Sequence, residues 1–379
     1  MTKLDIGVVG VTDLVGEECA GMSPDGLMAE ASRRALEDAG LGLHDVDAIF
    51  CTSVYDNMPA LRLAETLGLR PRYFDGTAVG GGSFETFVGH AAVALQAGLC
   101  DVALLAYGST QRADAGKLVT TSVPPSHEFP FGMIYPVSSY ALMAQRHMAM
   151  YGTTPEQLAE IAVSARKWAQ LNPRAAQRDP LTVADVLASP MISAPLHRFD
   201  CCLVTDGAGA AVLTRGDRAR DLAQAPVYVW GFAEALTHRY VMNMPDLTVT
   251  AAAQSGPAAL KMAGVSLDDI GFAEIYDAFT IDVLMILEDL GYCRKGEGGP
   301  FVADGRIAPG GGLALNTTGG GLSYCHPGMF GIFLLVEAVR QLRREAGDRQ
   351  VANAELGLVH GLGGVLSSGA TVILGASRP

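Results

Sequence analysis

The sequence has no C-x-x-C pair, and its seven cysteines are odd in number and scattered over 379 residues. This excludes a zinc ribbon and a thioredoxin-type motif, so we expect no metal site. The longest apolar runs, such as residues 332–336, are far shorter than the roughly 18–20 residues that span a bilayer. The first residues lack the charged-then-apolar pattern of a signal peptide. We therefore expect a reduced, cytoplasmic protein.

Positive charge is also scarce, because 27 Lys and Arg stand against 40 Asp and Glu, for a net charge of −13. A general nucleic-acid or anionic-membrane binder needs a basic face, so both classes are disfavoured. Hydrophobic residues make up 49% and charged residues 18%, which is typical of globular proteins. The 45 glycines are in excess but have no G-X-Y period, so they predict close backbone approaches rather than collagen.

The chain contains an internal repeat. Residues 30–49 and 254–275 each read as an amphipathic helix that ends at glycine, then a loop, then an aspartate leading into a strand. Three matches share an offset of 224 residues: Ala35 with Ala259, Ala39 with Ala263, and Asp45 with Asp269. A second match pairs the glycine runs 80–82 and 319–321, each of which precedes a helical stretch, at an offset of 239.

Alternating strands and helices predict βαβ units and mostly parallel sheets. We expect an α/β protein of two duplicated halves, residues 1–225 and 226–379, packed as five α/β/α/β/α layers. Residues 109–200 have no counterpart in the second half. This segment is rich in proline and then helical from residue 139 to 171, and we interpret it as an insertion that covers a site between the halves.

Several residues carry candidate chemistry. Glycine loops at helix N-termini suit oxyanions, although close helix–sheet packing is the alternative explanation. His326 lies in a glycine-rich turn and His360 between apolar strands, and each is either a functional or a buried structural histidine. Tyr276 and Asp277 follow a strand, where α/β proteins place functional groups. Cys325 adjoins His326, but neighbouring side chains usually diverge, so a nucleophilic pair is the less favoured interpretation.

Five motifs together resemble the thiolase superfamily over nearly the whole chain, and more narrowly its sterol-carrier-protein-X branch. They are YDAF at 276–279, GEGGPFVADG at 296–305, LNTTGGGLSYCHPG at 315–328, DCCLVTDGAGAAVL at 200–213 and HGLGG at 360–364. The resemblance implies a thiolase fold with an inserted loop domain and a pocket for acyl-CoA.

The resemblance also implies roles for single residues. Thiolases attack with a cysteine after the first glycine loop, and Gly81 stands at that position, so no acyl-enzyme is expected. His326 matches the histidine that polarises the thioester oxygen. Tyr276 stands at the first position of the Asn-Glu-Ala-Phe motif. His360 falls at or near the second thiolase cysteine.

With the nucleophile absent, the sequence resembles the thiolase-like aldolases of bacterial steroid side-chain degradation. This implies retro-aldol cleavage of a bulky, steroid-like β-hydroxyacyl-CoA to a ketone and a short acyl-CoA. One of Tyr276 and Tyr324 would be the base, and His326 would donate to the enolate oxygen with help from backbone N–H groups near Gly81 and Gly364. His360 is the alternative proton relay.

The resemblance further implies a homodimer and a small partner protein with an OB-fold and a zinc ribbon. Coenzyme A is expected only as part of the substrate, with no separate cofactor. The densest basic run is Arg166, Lys167, Arg174 and Arg178, which either binds the CoA phosphates or forms a solvated helix face. Two other functions stay open: a non-catalytic acyl-CoA or lipid-binding scaffold, and an acyltransferase that uses Cys325 or another thiol.

Overall fold

The computed structural model describes residues 4–115 and 128–379. In the first half, strands alternate with helices, in this order: β1 (Ile6–Val15), α1 (Pro24–Ala39), β2 (Ala48–Cys51), α2 (Pro59–Leu67), β3 (Tyr73–Asp75), α3 (Ser83–Gln96) and β4 (Val102–Ser109).

An inserted segment follows β4 and contains α4 (Gln111–Ala115), α5 (Val137–Tyr151), α6 (Pro155–Gln170), α7 (Val183–Ala188), β5 (Met191–Ser193) and β6 (Leu196–His197). The first half then closes with β7 (Gly207–Arg215) and the short α8 (Gly216–Ala219).

The second half has the same alternation. Its elements are β8 (Val227–Leu236), α9 (Ala252–Ala263), β9 (Phe272–Ile275), α10 (Thr280–Leu290), α11 (Gly298–Val302), β10 (Ala314–Leu315), α12 (Gly320–Ser323), α13 (Gly331–Leu342), β11 (Leu356–Gly363) and β12 (Ser368–Gly375).

The two halves mirror each other in strand order. The first runs β3-β2-β4-β7-β1 and the second β10-β9-β11-β12-β8, and a short antiparallel contact between β1 and β8 joins them into one ten-stranded sheet. Helices α3 and α13 contact strands of both halves, whereas α1 packs on the first half and α9 on the second. The predicted duplicated α/β fold is confirmed, with α3 and α13 as its buried central layer. The prediction of mostly parallel sheets is wrong, because five of the nine strand pairings in the large sheet of the described residues are antiparallel.

The offset of 224 residues holds in the structure. Helix α1 ends at Gly40 with φ 70° and α9 ends at Gly264 with φ 72°, the left-handed conformation that favours glycine at a helix C-cap. Strands β2 and β9 follow at the same offset, and both are fully buried. The first repeat is therefore a true duplication of helix, loop and strand.

The second match was placed wrongly. The run 319–321 opens the four-residue α12, and the long α13 begins only at Gly331, so it is the segment before Gly331 that corresponds to the loop before α3. The segment from 139 to 171 is helical, as predicted, apart from a short break. It is divided into α5 and α6, because Gly152 adopts φ 75° and Thr154 then caps a new helix.

The central helices are nearly sealed from solvent, since most residues of α3 and α13 are buried. Their first turns meet the ends of β9 and β11, so side chains and backbone from both halves converge at one point. Over the two described ranges, no helix combines the length and apolar character needed to cross a bilayer.

Candidate active site

A cavity of about 460 Å³ lies between the two halves. The loop before α3 contributes Gly80 and Gly81, and the end of β11 contributes Gly363. Tyr135 and Tyr140 of the inserted segment form another wall. The structure thus places the insertion beside a site built by both halves, as the sequence predicted.

The glycine loop of residues 80–82 presses directly on the end of β11. A Cβ at Gly80, where φ is 93°, would lie 2.7 Å from the backbone nitrogen of Gly364, and a Cβ at Gly82 would lie 2.8 Å from the carbonyl carbon of Gly361. Close packing therefore explains Gly80 and Gly82. Gly81 lines the cavity beside the N-terminus of α3, and its N–H donates to no other described residue.

Gly81 faces the ring of Tyr276. A Cβ at residue 81 would come within 2.5 Å of the Tyr276 hydroxyl oxygen, far closer than real Cβ atoms approach any atom. The phenol therefore fills the space in which a cysteine side chain at residue 81 would begin. The sequence predicted both residues as part of the site but gave no sign that they touch.

Tyr276 comes directly after β9, at the carboxyl end of a strand parallel to its neighbours β10 and β11. Its backbone N–H donates to the His360 carbonyl at 2.9 Å. Its hydroxyl oxygen lies 2.9 Å from Nε2 of His326 and accepts a hydrogen bond from the Phe330 N–H at 3.0 Å. Two hydrogen bonds thus hold the phenol oxygen and a third holds the backbone of Tyr276, and the residue lines the cavity together with His326.

Burial sets the protonation of this pair. It raises the pKa of Tyr276 well above the ordinary value, with Cys202 and Tyr107 adding to the effect. It lowers the pKa of the His326 imidazole to about 4. At neutral pH the pair is therefore a neutral phenol beside a neutral imidazole, which is free to accept a proton.

Asp277 gives the glycine run 319–321 a structural role that needs no substrate. Its carboxylate accepts hydrogen bonds from the N–H groups of Gly321 at 2.7 Å and Leu322 at 3.2 Å, at the start of α12. Burial raises the pKa of Asp277 to about 7, against these hydrogen bonds. The carboxylate holds the segment that leads to His326 and does not line the cavity.

Tyr324 lies elsewhere. Its hydroxyl donates to Asp13, whose carboxylate also binds Arg174 at 2.5 Å and Arg340 at 2.8 Å. Burial alone would raise the pKa of Asp13, but the two guanidinium groups hold it well below its usual range. Tyr324 does not line the cavity, because its side chain points into this ion cluster. The expectation that one turn delivers Tyr324 and His326 to the same pocket is not met.

His360 is part of β11 rather than of a loop between strands. Its Nδ1 lies 2.8 Å from the Thr371 hydroxyl of β12, and burial lowers the pKa of the ring to about 3. The ring is not among the cavity-lining side chains. His360 reaches the site only through its carbonyl, which fixes the backbone of Tyr276.

The predicted basic run also points away from the cavity. Arg166 is buried and donates to Ser323 at 2.9 Å and to the Asp179 carbonyl at 2.8 Å, and Arg174 is bound in the Asp13 cluster. Lys167 is exposed and, like Arg178, lies outside the cavity lining. The cationic side chain that the structure does place at the cavity is the exposed Arg239, beside His238.

Sequence reasoning missed Tyr140. Its hydroxyl donates to the Gly364 carbonyl at 3.0 Å, and its ring lies 4.4 Å from the ring of Phe279. The contact joins α5 of the insertion to the loop at Gly364, whose backbone N–H groups were predicted to donate to the enolate oxygen. Gly364 adopts φ 67° in this loop. Nothing in the sequence around residue 140 marks this role, since an aromatic residue in an amphipathic helix is usually core.

Cys202, the second cysteine of the motif at 200–213, also lines the cavity. Burial raises its pKa well above the ordinary value, so the group is a thiol rather than a thiolate. Cys325 is buried, has a raised pKa for the same reason and does not line the cavity. Neither sulfur has the electropositive surroundings of a nucleophile.

Comparison with known families gives one domain match. Residues 233–376 match the family described as thiolase C-terminal domain-like. These residues cover most of the second half, from β8 to β12, and include Tyr276, His326 and His360.

Similar proteins extend over the whole chain. It is 36% identical to the 17-hydroxy-3-oxo-4-pregnene-20-carboxyl-CoA lyase of Mycobacterium tuberculosis, over 97% of this chain and 97% of that protein. It is 35% identical to an acetyl-CoA acetyltransferase of Methanothermobacter thermautotrophicus, over 95% of this chain and 96% of that protein. The solved Ltp2–ChsH2(DUF35) aldolase superimposes with a TM-score of 0.90 at 31% identity, covering 100% of this chain and 99% of that one.

Proposed function

The chain belongs to the thiolase superfamily, and on that basis we propose that it is a carbon–carbon lyase that works without a cysteine nucleophile. It cleaves a bulky, steroid-like β-hydroxyacyl-CoA by a retro-aldol reaction, giving a ketone and a short acyl-CoA. The observation that carries the proposal is the Tyr276 hydroxyl, which fills the space beside Gly81 where a nucleophilic side chain would begin. The lyase and aldolase among the similar proteins support the same reaction class.

The reaction is balanced without a cofactor. The β-hydroxyl loses its proton and becomes the ketone as the bond between the α and β carbons breaks. The electron pair of that bond passes into the thioester as an enolate, and a proton returns to the α carbon. Coenzyme A enters and leaves as part of substrate and product, and no acyl-enzyme forms.

Tyr276 and His326 act as one acid–base unit. The Tyr276 oxygen takes the substrate proton while its own proton moves to Nε2 of the neutral His326, 2.9 Å away. The N–H of Phe330, which donates to the same oxygen at 3.0 Å, stabilises the charge that develops there. Because Nε2 is committed to Tyr276, His326 is the partner of the base in this scheme rather than the donor to the enolate.

The enolate oxygen takes its hydrogen bond from the backbone. The N–H of Gly81 lies at the cavity wall, and the N-terminus of α3 adds the positive end of its dipole. The loop at Gly364, which the Tyr140 hydroxyl holds in place, is the second element of this oxyanion site. Removal of one such donor typically costs about 10²–10³ in rate.

The CoA tail leaves the cavity over its exposed rim. Arg239 offers a guanidinium group for a phosphate, and the exposed Leu236 offers apolar surface for the pantetheine arm. We exclude Arg166 and Arg174 from this site, because hydrogen bonds inside the protein hold both guanidinium groups.

We also propose a cytoplasmic homodimer that works with a small OB-fold and zinc-ribbon partner. Among the described strands, β3 forms one edge of the large sheet and carries Phe74, whose side chain is 67% exposed. Such an edge favours pairing with a second copy. Phe74→Lys should then shift the protein from dimer to monomer in light scattering, and an unchanged mass would contradict this interface. The similar Ltp2–ChsH2(DUF35) aldolase, whose name joins two components, supports the partner.

An acyltransferase is the second candidate, favoured by the 35% identity to an acetyl-CoA acetyltransferase. That chemistry needs a thiolate, and burial keeps Cys202 and Cys325 as thiols. A non-catalytic scaffold is the third candidate, but it gives no reason for the buried Tyr276–His326 pair.

Two incubations with different thioesters, and a binding measurement for each, separate the three functions. The purified protein, alone and with its co-purified partner, is incubated with 17-hydroxy-3-oxo-4-pregnene-20-carboxyl-CoA, and products are identified by mass spectrometry. The aldolase yields the 17-ketone and propionyl-CoA. Thiolysis of acetoacetyl-CoA by added CoA would support the acyltransferase, and binding of both thioesters without products would support the scaffold.

A further inference from the structure

Glu85 is a buried carboxyl group that the reaction above does not use. It is the third residue of α3 and its side chain is 1% exposed. Neither carboxyl oxygen forms a hydrogen bond with any other residue of the described ranges. Burying a polar group without a partner is unfavourable. Stability therefore does not explain this glutamate.

The carboxyl group lies among the backbone segments that build the site. A Cβ at Gly361 of β11 would come within 2.5 Å of its Cδ, and a Cβ at Gly331, the first residue of α13, within 2.9 Å of its Oε1. The same Cβ at Gly331 would lie 2.5 Å from the carbonyl oxygen of Gly81. Glu85 thus occupies the space left by two missing side chains, directly behind the loop that carries Gly81.

No cation compensates a charge at this place. Glu85 forms no ion pair with any described Lys or Arg, and no nearby charge shifts its pKa. The N-termini of α3 and α13 favour an anion, and the backbone N–H of Glu85 itself lowers the pKa of the carboxyl group, but burial is the larger effect. Burial therefore dominates and raises the pKa of Glu85 to about 8. Titratable and charged groups on the elements packed against α3 include Asp13 on β1, Tyr107 on β4, Glu234 on β8, Glu337 and Arg340 on α13, and His360 on β11. Tyr276 and Asp277 follow β9, and His326 precedes α13.

A charge on Glu85 would act against the proposed chemistry. Burial has the largest effect on the pKa of Tyr276, and Cys202 and Tyr107 raise it further. An ionised Glu85 raises the same pKa by a smaller amount. The enolate is negative, and Tyr276 must release its own proton to His326, so a second negative charge behind Gly81 disfavours both events. A neutral carboxyl group at the same place has no such effect.

We propose, resting on the aldolase function above, that Glu85 is a positioning residue that acts in its protonated form. As a neutral acid it fills the space between Gly331 and Gly361 and supports the loop of Gly81. When it loses its proton, its charge opposes the release of the Tyr276 proton and the negative charge on the enolate, and cleavage stops. Glu85 thereby limits the reaction at alkaline pH.

The test is the pH dependence of kcat for wild type and for Glu85→Gln, a neutral residue of the same shape. Wild type should lose activity above about pH 8, where the carboxyl group ionises. Glu85→Gln should keep kcat within about threefold of wild type at pH 7. Its loss of kcat at alkaline pH, the alkaline limb of the profile, should begin at least about one pH unit higher than in wild type. Glu274→Gln is the matched control, because Glu274 is also buried with a raised pKa but is hydrogen-bonded to Thr317, and its alkaline limb should stay in place.

Two kinetic results would overturn the proposal. An unchanged alkaline limb in Glu85→Gln would show that another group controls it. A folded Glu85→Gln enzyme that is inactive at every pH would show that the acid itself is needed. If wild type cleaves no β-hydroxyacyl-CoA at all, the aldolase function fails instead, and the following measurement still tests the protonation of Glu85.

That measurement is the thermal unfolding midpoint against pH. Between pH 4.5, the ordinary pKa of a glutamate, and about pH 8, the unfolded chain releases this proton while the folded protein retains it. Rising pH therefore destabilises wild type relative to Glu85→Gln across this window, and the difference levels off above it. A constant difference in midpoint would overturn the proposal. If Glu85→Gln does not fold, Glu85→Met is compared in the same way.

Discussion

The absence of a side chain at Gly81 makes room for the phenol of Tyr276. The Tyr276 hydroxyl stands where a Cβ at residue 81 would collide with it, and the same hydroxyl is held by Phe330 and His326. A thiolase-type nucleophile and this tyrosine cannot occupy the site together. The sequence showed the absence of the cysteine, but only the structure shows what fills its place.

Restoring the cysteine should therefore not restore thiolase activity. Gly81→Cys is expected to produce no thiolysis of acetoacetyl-CoA and to lower the retro-aldol rate at least about tenfold, because the new side chain displaces Tyr276. Gly76→Cys is the matched control in the same loop, where the nearest atom to a new Cβ is 3.7 Å away. Thiolysis above background by Gly81→Cys would contradict the steric argument.

Tyr324 is predicted to matter for stability and not for turnover. Tyr324→Phe removes a buried hydrogen bond to the Asp13 carboxylate but leaves Arg174 and Arg340 in place. The free energy of unfolding should fall by about 1–3 kcal/mol, measured by chemical denaturation. The kcat should stay within about threefold of wild type. A loss of kcat with unchanged stability would return Tyr324 to the reaction.

At the scale of elements, the site depends on where strands end and helices begin. Strand β9 delivers Tyr276, the loop before α3 delivers Gly81, and the turn before α13 delivers His326. Helix α5 of the inserted segment closes the cavity through Tyr140. The insertion therefore takes part in the site by fixing the backbone of the other half, not only by covering it.

The Tyr140 hydroxyl gives this idea a test. Tyr140→Phe keeps the ring on Phe279 but removes the hydrogen bond to the Gly364 carbonyl, so the loop of Gly364 loses a restraint. We expect kcat to fall by about tenfold with little change in KM, because the oxyanion site serves the transition state. Tyr292→Phe is the control, since its buried hydroxyl has no hydrogen-bond partner among the described residues. Equal kinetics in the two variants would contradict the role of Tyr140.

At the scale of the whole molecule, the duplication was readable because it repeats local signals. A helix, a C-cap glycine and a buried strand recur at a constant offset, and the structure keeps that offset from α1 to α9 and from β2 to β9. The second match failed because glycine runs look alike whether they open a long helix or wrap a carboxylate. The glycine run 319–321 wraps a carboxylate, because the Gly321 N–H donates to Asp277, which lies 44 positions earlier in the sequence.

Side-chain partners that are distant in sequence were beyond prediction. Arg174 binds Asp13 across 161 positions and Tyr324 binds it across 311, so a basic run and a tyrosine near His326 looked available for substrate when neither was. The resemblance to the thiolase superfamily identified Tyr276, His326 and Gly81, whose positions follow from the fold. Glu85 carried no sequence signal, because a glutamate in the first turn of a helix is usually solvated.

Tyr276 occupies the place of the cysteine nucleophile and acts there as an acid–base group, without forming an acyl-enzyme. The most direct test is the kcat of Tyr276→Phe for a β-hydroxyacyl-CoA, with substrate affinity measured in parallel by calorimetry. We expect that substrate still binds while kcat falls about 10²–10⁴-fold, because the phenol is the group that moves the proton. Cleavage by Tyr276→Phe at a rate near that of wild type would contradict the account.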